Sequence, residues 1–219
     1  MENTLPRSGL FFTADVHGMH RNILKYCKRT QFMTEEEAFL INNAKNHDEL
    51  KNIKISDETL QRHDDALVNN INAVVRETDT LWVIGDFVYG VWKNYFEVVK
   101  AFRDRINSRH VCLCSGNHDF KESFPLFERV ETIAEINYNK QLIVACHYPM
   151  LSWRNNERSA WHVSGHCHGR IEEFRKLHLP NDLACDVGVD CWDDKPVSFE
   201  QLQERFDKIK KVEKQNEEV

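Results

Sequence analysis

Eight residues of this chain have side chains suited to holding cations or moving a proton, and each follows an apolar run. Asp15 and His17 come after Leu10-Phe11-Phe12, Asp86 after Leu81-Trp82-Val83-Ile84, and Asn117 and His118 after Val111-Cys112-Leu113-Cys114. His147 follows Leu142-Ile143-Val144-Ala145, and His166 and His168 follow Trp161-His162-Val163. A short apolar run bounded by turn residues reads as a buried strand, so five strand ends carry ligand-type residues. One such ending is chance, whereas five on one chain describe one site. Imidazole, amide and carboxylate donors together suit Mn, Fe, Zn or Ni better than Ca or Mg. The seven donors Asp15, His17, Asp86, Asn117, His147, His166 and His168 exceed the four that one zinc takes, and the number fits two divalent cations. Asp86 stands alone at its strand end and has two oxygens, which makes it the natural bridge. Two cations roughly 3.5–4 Å apart would hold a hydroxide between them and clamp a phosphate in line with it. His118, beside Asn117, is placed to protonate the leaving alkoxide.

The elements that must position these residues follow in chain order. A first strand over 9–14 leads into the Asp15 loop, and a helix is expected over Met19–Arg29 with Ile23, Leu24 and Cys27 on one face. Residues 30–56 are polar and weakly periodic, with a short helix around Glu35–Asn43, and read as a lid or insertion. A long helix opens at Ser56, where Asp57 and Glu58 suit the positive end of the helix dipole. Asn94 is placed to cap a helix with Phe96, Val99, Phe102 and Ile106 as its stripe. Residues 121–129 read as a short helix or loop. Asn139-Lys140 joins 131–138 to 141–146 as a hairpin, residues 149–160 form a long loop, and the last strands are expected near 161–164 and 183–189. Ser198-Phe199-Glu200-Gln201 is a capping box that opens a closing helix, with Val197 and Leu202 as its staple. Strands separated by helices give a layered α/β domain, the hairpin makes the sheet partly antiparallel, and the donors fall beyond the strands' carboxyl ends, where such folds place sites.

Composition narrows the class. A chain of 219 residues suits one domain, 1–219, with a substantial core. No apolar run approaches a membrane helix, and residues 1–10, with Glu2, Pro6 and Arg7, do not read as a signal peptide. Seven cysteines, an odd number with no Cys-x-x-Cys, read as reduced thiols. Cys112 and Cys114 are expected on opposite faces of their strand, and a cytoplasmic location is expected for the whole. A net charge of −6 argues against a large basic footprint for nucleic acid, although a local patch would escape this test. Nothing in the composition sets an oligomeric state.

Taken jointly, Asp15-Val16-His17, Gly85-Asp86, Gly116-Asn117-His118-Asp119, His147 and Gly165-His166-Cys167-His168 resemble the ordered blocks of the calcineurin-like metallophosphoesterases. They span residues 15–168, about 70% of the chain. His20-Arg21-Asn22-Ile23, the run Cys146 to Trp153, and Asp186 to Trp192 with Pro196 to Glu200 resemble segments of small prokaryotic and phage phosphoesterases. The resemblance implies a four-layer α/β/β/α sandwich of mixed sheets. It implies that Asp15, His17 and His168 bind one metal, that Asn117, His147 and His166 bind the other, that Asp86 bridges them and that His118 is the general acid. In the phosphatase branch a second aspartate, three residues after the bridging one, orients the acid histidine, and here Tyr89 holds that place. The expected activity is hydrolysis of a small phosphate ester, leaning to a phosphodiester or nucleotide. The alternatives are a nuclease on single-stranded nucleic acid, which salt-sensitive binding would separate, and a non-catalytic protein-binding scaffold, against which the full donor set counts. His20, Arg154 and Arg158 each admit a role at the site beside a plain surface role. Trp153, on the same loop as the two arginines, admits the same two roles, and Asp119, Asp186 and Asp190 read as structural.

Overall fold

β-branched and aromatic residues fill the apolar runs, and each run stops at a glycine or a polar turn, so they fold as short strands. In the computed structural model, which describes residues 8–90 and 92–217, the order is β1 (Leu10–Thr13), α1 (Arg21–Tyr26), α2 (Glu35–Asn43), α3 (His47–Asn52), α4 (Asp57–Val74), β2 (Thr80–Val83), α5 (Tyr95–Arg103), β3 (His110–Cys114), β4 (Arg129–Glu131), β5 (Ile133–Tyr138), β6 (Gln141–Cys146), β7 (Trp161–Ser164), α6 (Arg170–His178), β8 (Ala184–Asp186), β9 (Val197–Ser198) and α7 (Phe199–Glu217). One sheet has the order β4-β3-β2-β1-β9 and the other β5-β6-β7-β8. β1 to β4 are mutually parallel with β9 antiparallel at the edge, and β6 to β8 are parallel with β5 antiparallel. Both sheets are therefore mixed.

Side-chain alternation along the strands builds two cores. Phe12, Trp82, Ile84, Cys112 and Cys114 of the first sheet meet Ala134, Ile143, Ala145, Trp161 and Val163 of the second, and Phe199, Leu202 and Phe206 of α7 close this layer. The opposite face of the first sheet, with Leu81, Val83, Val111 and Leu113, is covered by Leu67 and Ile71 of α4 and Val99 and Phe102 of α5. On the outer face of the second sheet, Val144 and Ala184 pack under Trp153 and Ala160. Among the described residues no helix is long and apolar enough to cross a membrane.

Several elements differ from expectation. Cys112 and Cys114 share a face, as residues two apart on a strand must, and both enter the layer between the sheets as free thiols. The helix expected over Met19–Arg29 shrinks to Arg21–Tyr26, because Met19 and Lys28 take left-handed φ of 64° and 51° on either side. The strand expected at 131–138 divides at Thr132: Arg129–Glu131 pairs with β3, and Ile133–Tyr138 crosses to the second sheet. The strand expected near 183–189 is confined to Ala184–Asp186, and a further short strand, Val197–Ser198, follows it and pairs with β1. α6 carries no apolar stripe to announce it, since only Arg175 is buried on it. Asn94 occupies the N-cap position of α5, but its side chain makes no cap bond. The hairpin turns at Asn139-Lys140, whose φ of 49° and 67° match a type I′ turn. Ser198 and Gln201 form the reciprocal bonds of the capping box.

Residues 30–56 fold as α2, α3 and a short 3-10 turn, and they share an apolar cluster with Leu24 of α1 and Leu60 of α4. Glu37 is the polar tie. Its carboxylate accepts from Thr34 N–H at 3.1 Å, from Ser56 N–H at 2.7 Å and from the Thr59 hydroxyl, so it joins the first turns of α2 and α4. Burial pushes the Glu37 pKa up, but the bonds from Thr59, Ser56 and Thr34 outweigh it and hold the pKa at about 2. A carboxyl depressed on folding stabilises the fold above its unfolded value and stops doing so as pH falls through the folded one. Glu37→Ala should therefore lower stability by about 1–3 kcal/mol at pH 7. Urea unfolding should show that difference shrinking as pH is lowered from about 4.5 toward 2.

Candidate metal centre

β1, β2 and β3 run parallel, as do β6 and β7, so within each sheet the donor-bearing turns leave at one edge. Backbone bonds stitch these turns together. Asp15 N–H donates to the Gly85 carbonyl at 3.1 Å, His17 N–H to Asp86 at 2.9 Å, and Gly165 N–H to His147 at 3.0 Å. Across the sheets, His166 N–H donates to Asp15 Oδ2 at 2.8 Å. The turns are sharp enough that Asp15, His17, Asp86, His166 and His168 all adopt left-handed φ, between 49° and 68°. For residues with a Cβ this costs about 1–2 kcal/mol each, and it concentrates on the donors. Two glycines permit the crowding. A Cβ on Gly85 would lie 2.2 Å from His147 Nδ1, and one on Gly116 would lie 2.4 Å from Asp86 Oδ1.

The seven donors gather at one place. The ligand atoms of Asp15, His17 and His168 lie within 4.8 Å of one another, as do those of Asp15, Asp86 and His147. Asn117 Oδ1 is 3.2 Å from His147 Nε2 and 3.1 Å from His166 Nδ1. Asp86 faces both groups: its Oδ2 is 3.6 Å from His17 Nε2 and 3.4 Å from His147 Nε2, while its Oδ1 accepts from His118 N–H at 2.9 Å.

These residues fit divalent cations. Asp15 and Asp86 are 0% and 3% exposed, a pair of carboxylates removed from water. Burial raises the Asp15 pKa to about 7 and drives that of His17 down to about 2. His17 Nε2 is buried with no hydrogen-bond partner although it points at Asp86. The His147 ring donates from Nδ1 to the Ile84 carbonyl at 2.9 Å, so its neutral form presents a lone pair at Nε2 toward the Asn117 and Asp86 oxygens. Lone pairs facing one another in a dry pocket need positive charge between them.

A second layer holds the first, and most of it escaped sequence reasoning. His168 Nδ1 lies 2.7 Å from Asp190 Oδ2. Arg29, 1% exposed, grips both oxygens of Asp190 through Nε and Nη2 at 2.8 Å each, and donates to the carbonyls of Asp15 at 2.8 Å and Val16 at 3.2 Å. Its Nη1 also meets His63 Nε2 at 2.9 Å, and His63 Nδ1 meets Asp64, whose carboxylate accepts from Met19 N–H at 3.1 Å. Burial opposes charge on His168, but the bond to Asp190 lifts its pKa to about 10. Asp190 thus orients a donor histidine rather than only a turn. The signal for His63 and Asp64 was their place on the buried stripe of α4, with Leu60, Leu67 and Ile71. Arg29 had no local signal.

The remaining residues divide. Asp119 is structural: it accepts from the N–H groups of Asp86, Phe87 and Gly116 at 2.8, 3.0 and 2.8 Å. Asp186 likewise receives Gly169 and Gly188 N–H. Trp153 is buried against His162, Arg154 pairs with Glu135 at the surface, and Arg158 is exposed on its loop. His20 does reach the site, with Nδ1 3.2 Å from His17 Nδ1. No carboxylate hydrogen-bonds the His118 ring among the described residues. That ring is flanked by His17, His20 and Tyr89, with centroids at 5.4, 5.7 and 5.6 Å, and the His118 carbonyl accepts from the Tyr95 hydroxyl at 3.0 Å.

Asp190→Asn keeps the side chain's size and removes the charge that fixes His168. It should weaken divalent-metal binding about 10–100-fold, as read by a calorimetric Mn²⁺ titration, and it should also lower the thermal midpoint, because the buried Arg29 loses its charge partner.

Comparison with known proteins agrees with this geometry. An uncharacterized protein of the archaeon Methanocaldococcus jannaschii is 26% identical over 205 residues, covering 93% of this chain and 94% of its own. The gene 66 protein of Mycobacterium phage L5 is 23% identical over 175 residues, covering 67% of this chain and 82% of its own. A crystal structure of a protein of unknown function from Aquifex aeolicus shares the fold, with a TM-score of 0.58 at 18% identity, over 90% of this chain and 98% of that one. The model of the calcineurin-like phosphoesterases matches residues 10–214, and the chain belongs to that family.

Proposed function

We propose that the chain is a two-metal hydrolase of phosphate esters, acting on a phosphodiester or nucleotide. Asp15, His17 and His168 would hold one cation, Asn117, His147 and His166 the other, and Asp86 would serve both. The observation that carries this reading is the position of Asp86 Oδ2, 3.6 Å from His17 Nε2 on one side and 3.4 Å from His147 Nε2 on the other. When bound, the cations supply Lewis acidity toward the phosphoryl oxygens and lower the pKa of the attacking water.

The chain's own groups do the rest. Asp86 Oδ1 and the Tyr95 hydroxyl fix the His118 backbone from both sides, which sets its ring at the mouth of the site. From there a ring nitrogen gives its proton to the ester oxygen as the P–O bond breaks, so that water and diester become a monoester and an alcohol. The flanking rings of His17, His20 and Tyr89 restrict the turning of His118 in place of the phosphatase-branch aspartate. Mn²⁺ is the metal to load first, and Fe, Zn and Ni suit the same donors. Residues 30–56 are taken as a helical insertion, supported by their separate cluster against α1 and α4. A reducing, cytoplasmic setting is supported by seven free thiols.

Mn²⁺-loaded protein should hydrolyse bis(p-nitrophenyl) phosphate, and Asp86→Asn should lose at least about 100-fold in kcat through the lost cations. His118→Ala should lose about 10²–10⁴-fold on an alkyl diester, and less on the nitrophenyl ester, whose leaving group departs without a proton. Wild type inert with each of the four metals would overturn the proposal.

A further inference from the structure

We propose that the wall beside His118 is a seat for an aromatic ring on the leaving group, so that the preferred substrates are diesters that release a nucleoside. This rests on the phosphoesterase reading above. A general acid reaches only an oxygen within about 2.6–3.2 Å of it, so the departing group must lie against whatever surrounds His118. Three rings do so, and two of them, His20 and Tyr89, form a built surface. Tyr89 stacks on His20 with centroids 4.0 Å apart and planes 10° from parallel, and both stand within 5.7 Å of the His118 centroid.

The surface is anchored from behind. Tyr89 N–H donates to the Gly18 carbonyl at 2.8 Å, beside the bridge between Gly18 and Val88, and His20 is held at 3.2 Å from His17. Yet Tyr89 remains 41% exposed, so core packing does not account for it. A fixed, half-open aromatic face is what a planar ring stacks on, and every nucleobase has such a face. Beside His147 and His166 stands another exposed ring, with a different geometry. Tyr148, 46% exposed, meets His147 and His166 edge-on at centroid distances of 5.1 and 4.8 Å. A diester has two arms, and with His118 on the Tyr89 side the retained arm falls toward Tyr148.

The test compares a dinucleoside monophosphate with diglycerol phosphate on Mn²⁺-loaded protein. Both release alkoxides of similar basicity, so their difference reads the ring. Wild type should favour the dinucleoside ester at least about tenfold in kcat/KM. Tyr89→Ala frees the His118 ring and so should slow both esters alike in kcat, but it should abolish most of the preference by raising KM for the dinucleoside ester alone, and Tyr89→Phe should restore it. An equal rate on both esters in wild type, or a preference that Tyr89→Ala leaves intact, would overturn the seat while the hydrolytic reading stands. Wild type inert on both esters and on bis(p-nitrophenyl) phosphate would remove the hydrolytic reading and the seat with it.

Discussion

Asp15 and Asp86 are two carboxylates brought close together and almost wholly out of water, and much of the surrounding structure answers to that constraint. An isolated buried carboxylate is strongly disfavoured, and a buried pair more so, unless positive charge stands beside it. Protons compete for the same place: burial raises the Asp15 pKa to about 7, and the bond to Asp190 lifts that of His168 to about 10. Divalent cations would supply the positive charge and release the protons. The same constraint explains the backbone. Donors forced to converge must leave their strands abruptly, hence the left-handed φ at Asp15, His17, Asp86, His166 and His168 and the bare Cα atoms of Gly85 and Gly116.

Arg29 is the counterpart of that acidity one layer out. A buried guanidinium is tolerable only when its donors are used, and this one reaches two carbonyls, a histidine and both oxygens of Asp190. It links the turn after β1 to the turn after β8, so the first donor group is braced from two distant parts of the chain. The second group is braced differently, by the Ile84 carbonyl on His147 and the backbone bonds that Asp119 receives. Each half of the centre thus has its own support, and Asp86 is the residue they share.

What the sequence made legible follows from this arrangement. The convergence of these seven residues could be read because each follows an apolar run, and a parallel sheet sends such ends to one edge. α4 could be read because Leu60, Leu67 and Ile71 keep a helical period over a capped start. The Arg29–Asp190 pair could not, because it joins residues 161 positions apart with no local pattern to mark it, whereas His63 and Asp64 lie on the buried stripe of α4 and only their partners were hidden. α6 went unread because it buries one side chain, and the split of β4 from β5 because a change of sheet at Thr132 leaves the alternation intact. The face shared by Cys112 and Cys114 was available from strand period alone.

The family gives the reaction class, and the rim of this site carries Tyr89 stacked on His20. All of this depends on one claim, that two cations sit on either side of Asp86. Anomalous diffraction from crystals grown with Mn²⁺ tests it directly. The account predicts two Mn²⁺ peaks per chain, roughly 3.5–4 Å apart, one beside Asp15, His17 and His168 and the other beside Asn117, His147 and His166, with Asp86 touching both. A single peak at saturating Mn²⁺, or two peaks that Asp86 does not join, would contradict it.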